Sequence, residues 1–392
     1  MLNITPSKSP LPVLFSLSTS YAVKGSVFMV CDSISYDENL IVLQAFNRAG
    51  GKAGNKSAEA ALTANVAAIV FGDGSNSRLY PLTKRRSEAA LPIAGNYRLI
   101  DAVVSNCINS NIKKIYALTQ FNSASLNSHL SRAYSSAGIR HEALVDVIAA
   151  YQGPEGKGWF QGTADAIRRC LWVLEEYPIV DFLVLPGYHL YKMDFQELLE
   201  VHYNNKADIT VAVLSKTRND DRELGTFQLN SENQVIAFKD NPENRVYAHK
   251  FSGYWEDMRS IEAYYQANME STKNTKKAYS SLYDKDSPLY TLPRHLPPTQ
   301  ITDAAITDSV IGDGCFLNSG RAEEDVHIPI GIGEGSQIRK AIIDKNVKIG
   351  KNVKILNKEN IQECNNEAKG YIITGGIVVI LKGAIIPDGS IL

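Results

Sequence analysis

The sequence predicts an α/β protein, with a Rossmann-like, mostly parallel sheet followed by a short C-terminal parallel β-helix. Three observations carry that reading. From Asn65 onward, short apolar runs alternate with stretches of helical spacing. A glycine-containing loop follows the first of those runs, and beyond Pro293 and Pro297-Pro298 aliphatic residues recur every five or six positions.

Length and composition bound the rest. The 392 residues, 44% hydrophobic and 21% charged, fit a globular chain of about two domains. With 41 basic and 42 acidic side chains the formal net charge is -1, which gives no electrostatic basis for nucleic acid or an anionic membrane as the main partner. No run approaches the roughly 18 apolar residues that span a bilayer. Cys31, Cys107, Cys170, Cys315 and Cys364 are odd in number and widely spaced, so they form neither a disulfide framework nor a Cys-x-x-Cys metal pattern; they read as thiols in a reducing compartment.

Before Asp32, the first acidic residue, only Lys8 and Lys24 are charged, and serines stand at 7, 9, 16, 18, 20 and 26. An acid-poor, serine-rich start is that of an organellar transit peptide, although arginine is absent, and a plain disordered terminus is the alternative. Gly50 to Ser57 reads as a linker, so the first folded element is expected after it, with residues 1–62 as transit peptide and flexible N-terminus.

Val66–Phe71, Lys114–Leu118, Phe182–Leu185 and Ile209–Leu214 read as strands buried on both faces. Arg98–Asn109 and Ala164–Tyr177 have helical spacing, the second with Thr163 as N-cap and Pro178 past its end. Such alternation implies a parallel sheet with right-handed crossovers and a ligand site at the carboxyl ends of the strands. In the C-terminal third, Ile332, Ile338, Ile343, Ile349 and Ile355 form one series and Ile373, Val379, Ile385 and Ile391 another. Hexapeptide spacing of this kind marks the coils of a β-helix, each stacking an aliphatic side chain on the next. Ile301 to Phe316 begins a similar coil, and Asn318 to Asp325 breaks the register.

The loop Gly72-Asp73-Gly74-Ser75-Asn76-Ser77-Arg78-Leu79-Tyr80-Pro81 is not a dinucleotide fingerprint, because Pro81 comes too soon for the helix that must follow. Backbone amides of a glycine turn and the Arg78 guanidinium suit a triphosphate instead. Around that loop, Arg78-Leu-Tyr-Pro-Leu-Thr-Lys84, Asn96-Tyr-Arg-Leu-Ile-Asp101, Leu118-Thr-Gln-Phe-Asn-Ser-Ala-Ser-Leu126, Trp159-Phe-Gln-Gly-Thr-Ala-Asp-Ala166, Gly253-Tyr-Trp-Glu-Asp257 and Ala341-Ile-Ile-Asp-Lys-Asn346 stand in order. These segments resemble the small subunit of plant ADP-glucose pyrophosphorylase (glucose-1-phosphate adenylyltransferase), and the likeness runs from about residue 64 to the end.

The resemblance implies a nucleotidyltransferase domain over 63–292 and a left-handed β-helix over 293–392. It implies the reaction of ATP with glucose 1-phosphate to give ADP-glucose and diphosphate, with Mg²⁺, in plastids, by tetramers of small and large subunits. It places Gly72, Gly74 and Arg78 at the phosphates, and Gln120 and Gln161-Gly162-Thr163 at the adenine. Asp257 falls at a metal carboxylate, and Lys382 matches a lysine of activator binding. The resemblance also exposes departures. Asp73 and Asn76 interrupt the glycine loop. Where the family has Lys-Pro-Ala, with a lysine that stabilises the departing diphosphate, this chain has Glu88-Ala89-Ala90. Tyr188 stands in the Gly-Asp-His turn where the aspartate holds magnesium. Asp240-Asn241-Pro242 replaces the Glu-Lys-Pro that binds the sugar phosphate. Only about ten residues separate Pro242 from Gly253, where the family places further strands, helices and glucose contacts, and several β-helix coils are missing. The small subunits' N-terminal bridging cysteine has no counterpart between Asn55 and Asn65.

Phosphoryl-type transfer depends on positioning and charge stabilisation, and one lost stabilising group costs about 3–4 kcal/mol. The expected protein is therefore a small-subunit homologue whose catalytic centre is inactive or severely impaired, a candidate non-catalytic subunit. Two alternatives stand beside it: a small subunit that still catalyses, and a poorly folded relic.

Overall fold

The structure, a computed structural model, describes residues 41–44, 63–73, 79–134, 143–150, 159–160, 162–174, 176–214, 229–235, 245–258, 260–273, 282–292, 299, 301, 303–313 and 331–392. The linker Gly50 to Ser57, Cys31, Cys315 and the register break at Asn318 to Asp325 lie outside these. In chain order the elements that position the site are strands β1 (Ile41–Gln44) and β2 (Val66–Phe71), helix α1 (Leu99–Asn109), β3 (Lys114–Thr119), α2 (Ala124–Ala133), β4 (Leu144–Ala149), α3 (Thr163–Leu174), β5 (Asp181–Pro186), β6 (His189–Tyr191), α4 (Phe195–Asn204), β7 (Ile209–Leu214), β8 (Val246–Phe251), β9 (Trp255–Asp257) and α5 (Ile261–Ser271). The chain divides into two compact units.

The first unit holds the described parts of Met1–Ile69, Phe160–Leu185 and Phe195–Ser252. Its strands lie in the order β8, β7, β1, β5, β2. β8 and β7 are parallel, while β1 runs antiparallel to both β7 and β5. A paired strand at Ile41–Gln44 stands upstream of the linker, where no element was expected; its apolar Ile-Val-Leu run satisfies its backbone groups in the sheet. In α4, Phe195, Leu198, Leu199 and His202 fall on one buried face at helical spacing. His202 Nδ1 lies 2.8 Å from Thr210 Oγ1, and burial pushes the imidazole down to about 4. In α3 the buried face is Ala166, Ile167, Cys170 and Leu174. The Ala166 amide donates to the Gly162 carbonyl at 3.0 Å, so Gly162 rather than Thr163 precedes the first turn, and the helix stops at Leu174, short of Tyr177.

The second unit holds Val70–Trp159, Pro186–Asp194 and Gly253–Leu392. Here β3 and β4 pair in parallel, β6 and β9 pair antiparallel, and α1 is buried along nearly its whole length. Asp101 anchors the start of α1. Its fully buried carboxylate accepts from the Arg98 amide (2.9 Å), His129 Nε2 (2.6 Å), Tyr134 hydroxyl (2.7 Å) and Thr291 hydroxyl (2.7 Å). These bonds join three stretches of chain, around 98–101, 129–134 and 291, at one helix N-terminus, where the helix dipole also favours an anion.

The β-helix follows. Its three faces stack strands 305–307, 337–339 and 354–355; 310–311, 341–343 and 377–380; and 331–332, 348–349 and 385–386, all in parallel. Ile306, Ile338 and Ile355 stack in register, as do Ile311, Ile343 and Ile380, and Ile332, Ile349 and Ile386. Corner residues such as Asn346 and Asn352 adopt φ of 59° and 56°, which asparagine tolerates better than most residues. The second hexad series does not keep its expected register. Ile373 sits in a hairpin, with Glu363–Asn366 and Tyr371–Thr374 antiparallel. Ile385 and Ile391 are 54% and 72% exposed, whereas Ile380 and Ile386 point inward. The reason lies in strand Ile377–Ile380, which is buried on both faces: Val378 and Ile380 fill the coil, while Ile377 and Val379 pack outward with Leu79, Leu82 and Tyr264.

Replacing Asp101 with alanine leaves the Arg98 amide, the His129 imidazole and the Thr291 hydroxyl without this acceptor, while the Tyr134 hydroxyl keeps the Tyr290 carbonyl at 2.9 Å. The expected loss is about 3–5 kcal/mol in urea unfolding; a loss below about 1 kcal/mol would contradict the anchoring role.

Candidate functional site

Two glycines set the geometry of the candidate site. The Gly187 amide donates to the Phe71 carbonyl at 2.8 Å, and a Cβ on Gly187 would lie only 2.4 Å from that oxygen. The Gly72 amide donates to the Leu118 carbonyl at 3.0 Å, and a Cβ there would meet Leu126 at 2.8 Å. The first approach, against backbone, admits no larger residue, whereas at Gly72 the tip of Leu126 would have to move. The loops that leave β2, β3 and β5 are thereby held side by side, which brings Gly72, Asp73, Gln120 and Tyr188 to one place.

The turn after the first loop folds back onto it. The Ala89 amide donates to the Gly72 carbonyl at 3.2 Å, and the Glu88 amide to Asp73 Oδ1 at 3.3 Å. Glu88 is itself buried, in a short 3-10 turn spanning Glu88–Ala90. Among the described residues the second Asp73 oxygen has no hydrogen-bond partner, and burial pushes this carboxyl up to about 6, with the Glu88 amide opposing the rise. Two carboxyl groups thus stand where the family's sequence pattern has a glycine and a lysine. At neutral pH an ionised Asp73 in a partly desolvated loop would disfavour any phosphate group placed beside it.

The Tyr188 side chain is 4% exposed, and its ring meets the His189 ring edge-on at 5.0 Å. His189 is fully buried and its Nδ1 accepts from the Trp255 indole at 3.2 Å, which leaves the ring proton on Nε2. That nitrogen faces Asp257 Oδ1 at 3.6 Å, because β6 and β9 pair with His189 opposite Asp257. Asp257, 28% exposed, is therefore beside the Tyr188 turn. A phenol with an ordinary pKa near 10 is a poor ligand for hard magnesium, which takes oxygen ligands in strict octahedral geometry. Among the described residues no cluster of three or more His, Cys, Asp or Glu side chains could hold a metal. The residues present do not fit a bound Mg²⁺.

Gly162 and Thr163 belong to the first unit, at the start of α3. Gly74, Asn76, Arg78, Gln161, Asp240 and Asn241 lie outside the described residues.

Lys382 lines a separate cavity of about 680 Å³ together with Lys84, Arg85, Arg86 and Lys369. Two acids share it. Arg86 Nη2 pairs with Asp344 Oδ1 at 2.6 Å, both side chains buried, while Lys84 and the Tyr80 hydroxyl hold Glu367. Sequence reading singled out Lys382 alone. The consecutive cations Lys84-Arg85-Arg86 were the signal for the rest, unread because they adjoin the phosphate loop in sequence.

A sheet whose strand ends carry a glycine loop, a second loop from β5 and a short carboxylate-bearing strand defines a nucleotidyltransferase with a β-helix appended. In agreement, residues 67–249 match the nucleotidyl transferase family and residues 318–391 a GLGC left-handed parallel β-helix domain. The chain is 46% identical to "Inactive glucose-1-phosphate adenylyltransferase small subunit 2, chloroplastic" of Arabidopsis thaliana, over 84% of this chain and 90% of that protein. It is 37% identical to "Glucose-1-phosphate adenylyltransferase small subunit, chloroplastic/amyloplastic" of Triticum aestivum, over 84% of this chain and 91% of that protein. It belongs to the family of plant glucose-1-phosphate adenylyltransferase small subunits. The alignments run over 431 and 433 positions, more than this chain's 392 residues, so they contain gaps on its side.

Asp73 gives a pH prediction. Its folded pKa, raised from 3.8 to about 6, means that the folded state binds more protons between those values. The associated stability is present below about pH 4 and lost as pH rises through 6. Asp73→Asn keeps an acceptor for the Glu88 amide and removes the titration. It is expected to stabilise by about 2–3 kcal/mol at pH 8 and much less at pH 4, read as the difference between urea curves. An equal effect at both pH values would contradict the burial argument.

Proposed function

We propose that this chain is a plastid small-subunit homologue of glucose-1-phosphate adenylyltransferase that does not catalyse, and that persists as a non-catalytic subunit of a starch-pathway assembly. The observation that carries the proposal is Tyr188, buried beside Asp257 in the turn where the family's pattern has a metal-binding aspartate. Without a second carboxylate, Asp257 alone does not hold magnesium on a triphosphate. Glu88 turns a stabilising cation into an anion, and Asp73 adds a second negative group.

On this reading residues 1–62 are transit peptide and flexible N-terminus. Residues 63–292 form a nucleotidyltransferase domain shortened near 243–252, and 293–392 a β-helix lacking coils. By the family pattern Gly72, Gly74, Gln120, Gln161, Gly162 and Thr163 correspond to ATP-binding positions and Arg78 to a phosphate-binding one. Asp240 and Asn241 no longer grip glucose 1-phosphate, because Asn241 carries no charge. The cavity around Lys382, with its surplus of cations, takes a small phosphate-bearing anion. The partners are large subunits of the same enzyme or further copies of this chain. Both relatives are named as chloroplast or amyloplast proteins and as small subunits, which supports plastid location and subunit assembly.

Calorimetric titration with ATP, with and without Mg²⁺, tests the loss of the metal site. The wild-type protein should show no Mg²⁺-dependent gain in affinity, and a micromolar Mg²⁺-dependent complex would contradict the role given to Tyr188. The triple variant Tyr188→Asp, Glu88→Lys, Asn241→Lys should gain that dependence and still fail to reach normal turnover. Full recovery would mean that the sugar pocket is complete.

A further inference from the structure

The cavity around Lys382 carries an internal anion of its own. Of its five basic and two acidic side chains, Arg85, Lys369 and Lys382 have no ion-pair partner among the described residues. The two acids are not equivalent. Asp344 is paired with Arg86 at 2.6 Å with both side chains buried, and the Arg86 Nε–H donates to the Leu82 carbonyl at 3.0 Å. Breaking such a pair leaves an uncompensated buried charge. Glu367 differs: its side chain is 30% exposed and its partner Lys84 is 47% exposed. One Glu367 oxygen meets Lys84 Nζ, and the other accepts from the Tyr80 hydroxyl at 2.7 Å. Exposed pairs of this kind are weak and exchange readily.

Glu367 opens the 3-10 turn Glu367–Lys369, which ends at Gly370 with φ 86°. The turn projects the carboxylate and the Lys369 ammonium into the same cavity. A carboxylate on a lysine and a hydroxyl offers those donors what a phosphate oxygen would offer. Lys84 and the Tyr80 hydroxyl hold Glu367 below the usual carboxylate range, so it stays ionised at neutral pH.

From this geometry we infer that Glu367 is an intramolecular competitor for the anion site, a built-in carboxylate that an incoming phosphate must displace from Lys84 and Tyr80. The inference rests on the reading of the Lys382 cavity as an anion site. Displacement frees Tyr80 and Lys84, which sit in the segment between the glycine loop and the Glu88 turn, whereas Asp344 keeps its hold on Arg86. The cavity therefore binds small phosphate-bearing anions more weakly than its cation count suggests.

The test is calorimetric titration of the full chain with inorganic phosphate. Glu367→Gln should bind phosphate about three- to tenfold more tightly than wild type, the range expected for loss of one exposed competing pair. Adding Lys84→Ala to Glu367→Gln should cancel the gain, while Lys84→Ala alone, where the lysine is already engaged, should change affinity less than about twofold. Equal phosphate binding by wild type and Glu367→Gln, weakened in both by Lys382→Ala, would overturn the competition and leave the anion site standing. No phosphate binding by either protein would overturn the site and the inference together.

Discussion

The approach of Gly187 to the Phe71 carbonyl is the constraint on which the rest of the site depends. A 2.8 Å hydrogen bond with no room for a Cβ fixes where the turn after β5 meets the loop after β2. Once that is fixed, Tyr188 is buried in the turn that leads into β6, and pairing of β6 with β9 sets His189 opposite Asp257. The backbone frame of a nucleotidyltransferase is intact at these points. Its chemistry is not. Framework and chemistry have separated because they rest on different residues: the frame on Gly72, Gly187 and Asp101, the chemistry on side chains that are now Asp73, Glu88 and Tyr188.

Electrostatics explains why those three exchanges weigh so heavily. Transfer at an α-phosphorus accumulates charge that cations and a metal must offset, in a site partly closed to water where each charge counts for more. Here Glu88 is buried, Asp73 has a raised pKa, and a buried tyrosine, Tyr188, stands where the proposed reading expects a metal-binding aspartate. The losses act on one centre, so they do not add cleanly; on the proposed reading, two independent losses of about 3–4 kcal/mol would lower the rate by about 10⁴- to 10⁶-fold.

Much of this was legible in the residues. The strands Val66–Phe71 and Ile209–Leu214 stand where their apolar runs placed them, since a strand buried on both faces leaves an unbroken hydrophobic signature. The substitutions at 73, 88 and 188 were readable against the family pattern. What escaped reading had physical causes. Strand β1 is only four residues long, too short for periodicity to register. Hexad counting assigned Ile385 and Ile391 to the β-helix interior because a coil face covered on both sides is apolar at either parity, and the hairpin through Ile373 shifts the count. The Asp101 network and the cations around Lys382 join residues far apart in sequence, and no local pattern records such long-range pairing. His189, oriented by Trp255 toward Asp257, escaped for the same reason.

The measurement that bears most directly on the central claim is ADP-glucose formation by the purified protein supplied with Mg²⁺, ATP and glucose 1-phosphate, alone and mixed with a large subunit. A catalytically competent small subunit serves as the reference. The account predicts turnover at least about 10⁴-fold below that reference in both samples. Turnover approaching the reference would show that other groups replace the lost carboxylate and lysines, and the reading of Tyr188 and Glu88 would be wrong.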